Sequence, residues 1–353
     1  MSHTAGQAYL NTRVSVMSIR LFSPELRVSL SQLSLPALAE RFGLSALLDE
    51  QPSIAARSRA IEQSLIQVLL TELQVLAHPM SPAERALLLA WGRQYALFNL
   101  KALIRGKLYA LDQEAIRANL FELPGSIRLP LPELLRAENV LELLRQLENG
   151  PYHQIARQAR EVYERQREPF ALEAAIDQRY YTEIVRRAMG FHHQHLDSLR
   201  RLIGAELDRV ALLWLLRFRF SYRLSPSETY YQLVPSMRRL TRERLLHLVN
   251  LDTFEQVIAA LPPRLRTLLA ECQTISEVQQ RIGHHTRREA RGVLARSQSA
   301  VARALAYLML RESDLMRLFA VVQGRLLQFP EQAIEAALDL TEPSGNPVNT
   351  TRR

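Results

Sequence analysis

LIGAELDRVALLWLLRFRFSY, residues 202–222, is apolar on nearly every side of a helical wheel, with Glu206 and Asp208 near its start and Arg217 and Arg219 near its end. A helix that is hydrophobic all round belongs in a protein interior. The same layout recurs in YLMLRESDLMRLFAVVQGRLL (307–327) and WGRQYALFNLKALIRGKL (91–108). Aligned, Gln94 falls with Glu206 and Glu312, and Ala96 with Asp208 and Asp314. Arg105, Arg217 and Gln323 form the next column, then Lys107, Arg219 and Arg325. The copies lie about 110 residues apart, a spacing too long for a solenoid repeat and suited to a small domain. The expectation is an all-α chain of three similar helical units, each carrying one such helix.

A second pair of stretches repeats independently. LLRAENVLELLRQLENGP (134–151) resembles LLHLVNLDTFEQVIAALP (245–262): Leu134, Leu135, Asn139, Leu143 and Pro151 match Leu245, Leu246, Asn250, Phe254 and Pro262. Asn139 with Glu142, and Asp252 with Glu255, are capping pairs for the helices that follow. The counterpart in the first unit is fainter, LSLPALAERFG (33–43). The units are assigned to residues 8–110, 111–225 and 226–340, with residues 1–7 and 341–353 as disordered ends; TEPSGNPVNTTRR lacks the apolar surface a fold requires.

Within the units, Ser81-Pro82-Ala83-Glu84 starts a helix with an N-cap serine, proline in the first turn and a capping-box glutamate. That helix is expected to run unbroken to about Leu108. Residues 54–77 are amphipathic, and FELPGSIRLPLP (121–132) is an irregular connection. Residues 151–189 read as two helices split near Pro169, the second with Leu172, Ile176, Tyr180 and Ile184 on one stripe. Short extended pieces are expected at 126–131 and 229–234. Acids at the start and bases at the end of the three apolar helices match the helix macrodipole. Their recurrence points further, to end charges bonded to neighbouring helices.

Several chemistries have no sequence basis. The twelve glycines never form GxG, and GxxxxGK[ST], HExxH, CxxC and GxSxG are all absent. Cys272 is the single cysteine, so no intramolecular disulfide forms, which suits a reducing compartment; with Glu271 and Gln273 beside it the thiol reads as inert. MSHTAGQAYLNTR lacks the basic and apolar regions of a secretory signal, and no uncharged apolar run approaches the ~18–20 residues of a membrane span. His192-His193-Gln194-His195 is the one metal-like cluster, but it lacks an acid or thiol of suitable spacing and reads as a solvated turn between helices. The net charge is +9, yet Lys101 and Lys107 are the only lysines among 45 basic residues. Scattered arginines of this kind reflect codon preference more readily than a nucleic-acid face. No catalytic, cofactor-binding or metal-binding residue is therefore assigned.

Three motifs resemble the C subunit of the archaeal and bacterial V/A-type ATPases, whose counterpart in the eukaryotic vacuolar enzyme is the d subunit. The first is the opening Tyr9-Leu10-Asn11-Thr12-Arg13-Val14, similar to a Y-x-N-x-R-V start. The second is Glu173, Asp177 and Tyr180-Tyr181, like an E-x-x-x-D-x-x-Y-Y helix. The third is the recurrent E-x-D-x-x-N-[LI]…R-x-[KR] helix, in which Asn99 retains the asparagine while Ala211 and Arg317 replace it, and Gln94 and Ala96 replace the first unit's acids. The resemblance spans about residues 9–330. It implies a pseudo-threefold, funnel-shaped rotor subunit without a catalytic site, peripheral on the cytoplasmic face of the membrane. Its implied partners are the proteolipid ring, the central-stalk subunits of the D/F type and anionic lipid headgroups, with no nucleic acid. Such a subunit couples ATP hydrolysis or synthesis to H⁺ or Na⁺ transport. The structural and interface candidates are Asn99, Arg105, Lys107, Glu206, Asp208, Arg217, Arg219, Glu312, Asp314 and Arg325. The competing readings are a basic helical scaffold for nucleic acid or an acidic protein, and a helical enzyme built on the histidine cluster.

Overall fold

A computed structural model describes residues 3–339, and among them every regular element is helical. The expected ends at 341–353 lie outside the described residues. At the other end a helix already begins at His3. The chain opens with α1 (His3–Ser18) and α2 (Pro24–Ser29), then a 3-10 turn at Leu30–Gln32, α3 (Leu35–Phe42) and α4 (Ser45–Glu50). Three longer helices follow: α5 (Ile54–Ala77), α6 (Pro82–Gly92) and α7 (Gln94–Leu108). Next come α8 (Gln113–Arg117), α9 (Leu131–Arg136), α10 (Val140–Leu147), α11 (His153–Gln166), α12 (Pro169–Met189) and α13 (His193–Leu216), which ends in a π-helical turn at Arg217–Ser221. The remainder is α14 (Pro226–Gln232), α15 (Arg242–Val249), α16 (Phe254–Ala260), α17 (Pro263–Leu269), α18 (Ile275–Arg296), α19 (Ala300–Leu326) and α20 (Glu331–Asp339).

The apolar run at 202–222 covers the C-terminal part of α13 and its π turn, and its apolarity has a direct cause. Leu199, Leu202, Ile203 and Leu207 belong to the main core, built with α5, α6, α7, α12 and α19. Ala211, Leu212, Leu215 and Phe218 belong to a second core closed by α15–α18. One helix thus serves two cores, and it has few sides left for water. α19 is buried along its length, packing against α1, α5, α13 and α18.

Several expectations change. The helix expected over 82–108 is broken at Arg93, and beside the break the Trp91 carbonyl accepts from the Tyr180 hydroxyl at 2.8 Å. The acids of the apolar helices are not near helix starts, because α13 begins at His193 and α19 at Ala300. Glu206, Asp208, Glu312 and Asp314 therefore sit mid-helix, and the macrodipole does not explain them. The histidine cluster is only partly a solvated turn: His192 is exposed at the N-cap position of α13, whereas His195 lies within the helix and its Nδ1 bonds Ser299 Oγ at 2.7 Å. Residues 126–130 are turn and coil, and 229–232 fall in α14, so neither is extended strand.

Capping follows the sequence closely, with one slip. Glu84 accepts from Ser81 N at 3.1 Å, and Asn139 Oδ1 accepts from Glu142 N at 3.0 Å. Before α16, however, the cap is Thr253, which accepts from Gln256 N at 3.2 Å, while Asp252 only donates its own N–H to Gln256. The repeat between 134–151 and 245–262 is therefore in register at its ends, where Leu134 and Leu245 are both buried, and out of register in its middle.

The three apolar helices end alike. Ala110, Arg223 and Gln328 follow them with φ of 52°, 57° and 58°. Each is succeeded by an N–H that reaches back into the helix: Leu111 to Gly106 O at 2.9 Å, Leu224 to Phe218 O at 2.8 Å, and Phe329 to Gly324 O at 2.9 Å. This is the left-handed C-terminal closure that usually falls to glycine. The π turn after α13 adds one residue to the middle copy. Because none of the three is glycine, Ala110→Gly and Gln328→Gly are each expected to raise stability by about 0.5–1 kcal/mol, read by urea denaturation.

Candidate functional site

The charged ends of α7, α13 and α19 do the same work three times. Lys107 Nζ donates to Leu135 O at 2.7 Å, at the end of α9. Arg219 Nε donates to Val249 O at 2.9 Å, at the end of α15, with further bonds to Leu224 O and Leu251 O. Arg325 donates to Leu33 O at 3.2 Å and to Ser31 O, closing the 3-10 turn. Each cation meets carbonyl groups that a short helical segment leaves unsatisfied.

One or more turns earlier in each helix, a buried polar side chain holds the stretch of chain leading into that same segment. Asp208 Oδ1 accepts from Leu240 N at 2.9 Å, and Asp314 Oδ2 accepts from Phe22 N at 2.8 Å. In α7 the role falls to Asn99, not to the aligned Ala96: its amide accepts from Phe121 N and donates to Phe121 O, both at 2.8 Å. Burial raises the pKa values of Asp208 and Asp314 against the opposing pull of the Leu240 amide in one and of Arg27 in the other. Asp314 also binds the Arg27 guanidinium, at 3.0 Å from Nε and 2.9 Å from Nη2.

Two further ends are alike. Arg105 makes two bonds of 2.6 Å to Glu173, on α12, and Arg217 donates to Gln279 Oε1 at 2.7 Å, on α18. Asp177, one turn beyond Glu173, takes Lys101 Nζ at 2.7 and 2.8 Å, and burial pushes its pKa up despite that partner.

Because α19 is the last of the three helices, the segment it holds is the beginning of the chain. Besides Phe22, Arg27, Ser31 and Leu33, α1 is fixed by Arg303, whose Nη1 donates to Asn11 Oδ1 at 2.8 Å and whose Nη2 donates to Ser15 Oγ at 2.8 Å. Buried Glu72 of α5 ties the same region together, accepting from Arg20 at 3.1 Å, Tyr307 at 2.7 Å and Arg311 at 3.3 Å. Glu72 was legible only as an isolated acid in an apolar stripe flanked by Leu69, Leu70, Leu73 and Leu76.

The first alignment column converges in space. Gln94, Glu206 and Glu312 all line one cavity of about 440 Å³ between α6, α7, α13, α18 and α19. Glu312 accepts from Tyr95 OH at 2.7 Å and from Gln94 Nε2 at 3.2 Å. Glu206 is paired with Arg209 on its own helix, Arg209 Nε lying 2.9 Å from Oε2. Burial opposes the charge on Arg209, but Glu206 outweighs it and holds the guanidinium protonated. Burial, with Glu206 nearby, raises the Glu312 pKa against the donors Tyr95 and Gln94. A third carboxylate in place of Gln94 would add like-charge repulsion and remove a donor. The cavity holds paired and hydrogen-bonded charges, and Gln94, Glu206 and Glu312 are the sequence-aligned residues it brings together. Asp314 and Arg317 also border it, whereas Lys107, Arg219 and Arg325 stand apart at the helix ends.

The described elements are all helical, and their buried polar groups fix helix to helix. The model of the ATP synthase (C/AC39) subunit family matches residues 10–337, and the chain belongs to that family. It is also similar to the C subunit of the A-type ATP synthase of Methanocaldococcus jannaschii, 23% identical over 347 residues, covering 95% of this chain and 86% of the relative. Among the described residues no helix is long and apolar enough to cross a membrane.

Proposed function

We propose that the chain is the non-catalytic rotor subunit of a V/A-type rotary ATPase, built from three units near residues 8–110, 111–225 and 226–340. It seats on the proteolipid ring at the cytoplasmic face, beside anionic headgroups, and receives the D/F-type central stalk in the opening lined by Gln94, Glu206 and Glu312. Rotation passes through it between ATP hydrolysis or synthesis and H⁺ or Na⁺ transport. The observation that carries this reading is the convergence of three sequence-aligned residues on one cavity. It is supported by the way each apolar helix fixes the segment that follows, with α19 fixing the chain's own beginning. A ring of mutually fixed units resists shear, as a torque-bearing adaptor requires. The interface candidates of this reading are Asn99, Arg105, Lys107, Glu206, Asp208, Arg217, Arg219, Glu312, Asp314 and Arg325, acting through rigidity.

Met316 borders the cavity and is exposed, so a substitution there leaves the core intact. Met316→Arg is expected to keep the melting temperature and ring binding of the parent while weakening the stalk subunits at least about tenfold, a loss of ~1.4 kcal/mol read by interferometry. Unchanged stalk affinity counts against a socket at this cavity.

A further inference from the structure

A second cavity, of about 550 Å³, lies away from the central one, between the segment preceding α15 and helices α17 and α18. Its wall includes Arg239, Arg264, Arg288, His285 and Glu289. Arg239 is only 8% exposed, yet no carboxylate among the described residues lies within ion-pair distance of it. Its guanidinium instead bonds a ring nitrogen, His285 Nε2, at 3.2 Å. A ring nitrogen that accepts from a guanidinium carries no proton, so the histidine adds no negative charge to offset the arginine. Glu289, the acid in the wall, is already engaged by Arg201 and by Arg238, the latter at 3.5 Å. Asp208 accepts from Leu240 N through Oδ1 and acts on Arg239 through space, beyond ion-pair distance.

At the mouth, Arg264 and Arg288 are exposed and make no hydrogen bond or ion pair among the described residues. Three guanidinium groups thus face one cavity, and the acid in its wall, Glu289, is shared with Arg201 and Arg238. Burial first, then the like charges of Arg238 and Arg264, press the Arg239 pKa downward against the opposing pull of Asp208 and Glu289. A buried cation without a direct ion-pair partner is only partly compensated. An anion with several acceptor oxygens supplies that partner, and guanidinium forks match a phosphate's oxygens well.

We propose that this cavity is a binding site for a phosphate group, with Arg239 at its floor and Arg264 and Arg288 at its mouth. The tetrahedral dianion can accept from three separated forks at once, which a planar carboxylate does less well. The volume exceeds a bare phosphate and admits a second phosphoryl or an ester group. The phosphate is either free in solution or carried on a lipid headgroup, and the two sources are separable.

The test titrates the full chain with pyrophosphate at constant ionic strength, and separately with phosphatidylcholine vesicles containing phosphatidate or an equal charge of phosphatidylserine. Saturable one-to-one pyrophosphate binding with a raised melting temperature supports a soluble phosphate. Preferential binding of phosphatidate vesicles, displaced by pyrophosphate, supports a lipid-borne one. In either arm the exposed double variant Arg264→Ser, Arg288→Ser is expected to weaken binding at least tenfold, with Arg266→Ser as the surface-charge control. The proposal is overturned if neither probe binds saturably, if the double variant binds as the parent does, or if polyglutamate occupies the site in preference to pyrophosphate.

Discussion

Asp314→Leu is expected to lower the unfolding free energy by about 3–5 kcal/mol. The carboxylate is 3% exposed and its partner Arg27 10% exposed. Removing it strands a buried guanidinium and leaves Phe22 N without its acceptor. The loss should appear as a fall in the urea midpoint with little change in slope. Arg27→Met in the same chain should restore most of the stability, since an apolar pair can replace a buried ion pair. A loss below about 1 kcal/mol would mean that α19 does not depend on this contact to hold the beginning of the chain.

Acidification supplies the second large effect. His285 is held neutral, its pKa lowered to about 4 by burial first and by Arg239 next, against the pull of Glu289. The unfolded histidine protonates near 6.5, so between pH 6.5 and 4 the unfolded state binds more protons than the folded one. Stability contributed by the neutral ring is complete above pH 6.5 and is lost as pH falls towards 4, by about 2–3 kcal/mol. The raised pKa values of Asp208, Glu312 and Asp314 act in the opposite sense, because those groups bind protons more readily when folded. The comparison is therefore between parent and His285→Gln, whose side-chain oxygen still accepts from Arg239. The variant should lack the parent's loss between pH 6.5 and 4, with equal behaviour above pH 7. Parallel curves for the two proteins across that range would place the titration elsewhere.

Much of this architecture is readable in the sequence because it rests on local, periodic signals. The apolar runs of α7, α13 and α19, the capping residues Ser81 and Asn139, and the split at Pro169 all leave marks within a few turns of chain. The stripe Leu172, Ile176, Tyr180, Ile184 is buried along α12. The bases at the helix ends do bond neighbouring segments, as their recurrence suggested.

What stayed illegible depends on distance or on a one-residue shift. The start of α13 is polar, HQHLDSLRRL, so hydrophobic periodicity alone places the helix start too late. The break at Arg93 is accompanied by a bond from Tyr180 to Trp91, 89 residues away in sequence. Asn99 replaces Ala96 in its role because the backbone it holds approaches one turn further along. The inserted residue of the π turn moves Arg223 out of the column that Ala110 and Gln328 share. The bond from Asp314 to Phe22 spans 292 residues and has no local trace at all. The arginine cluster around Arg239 was equally hidden, since scattered arginines carry no signal until the fold gathers them.

Whether this chain joins ring and stalk as a single coupling piece is tested most directly by native mass spectrometry. The purified chain is mixed with detergent-solubilised proteolipid ring and central-stalk subunits. The predicted result is one ternary assembly with one chain per ring and per stalk, and no ring–stalk complex when the chain is omitted. A chain that joins neither, or a ring and stalk that assemble equally well without it, would contradict the coupling role.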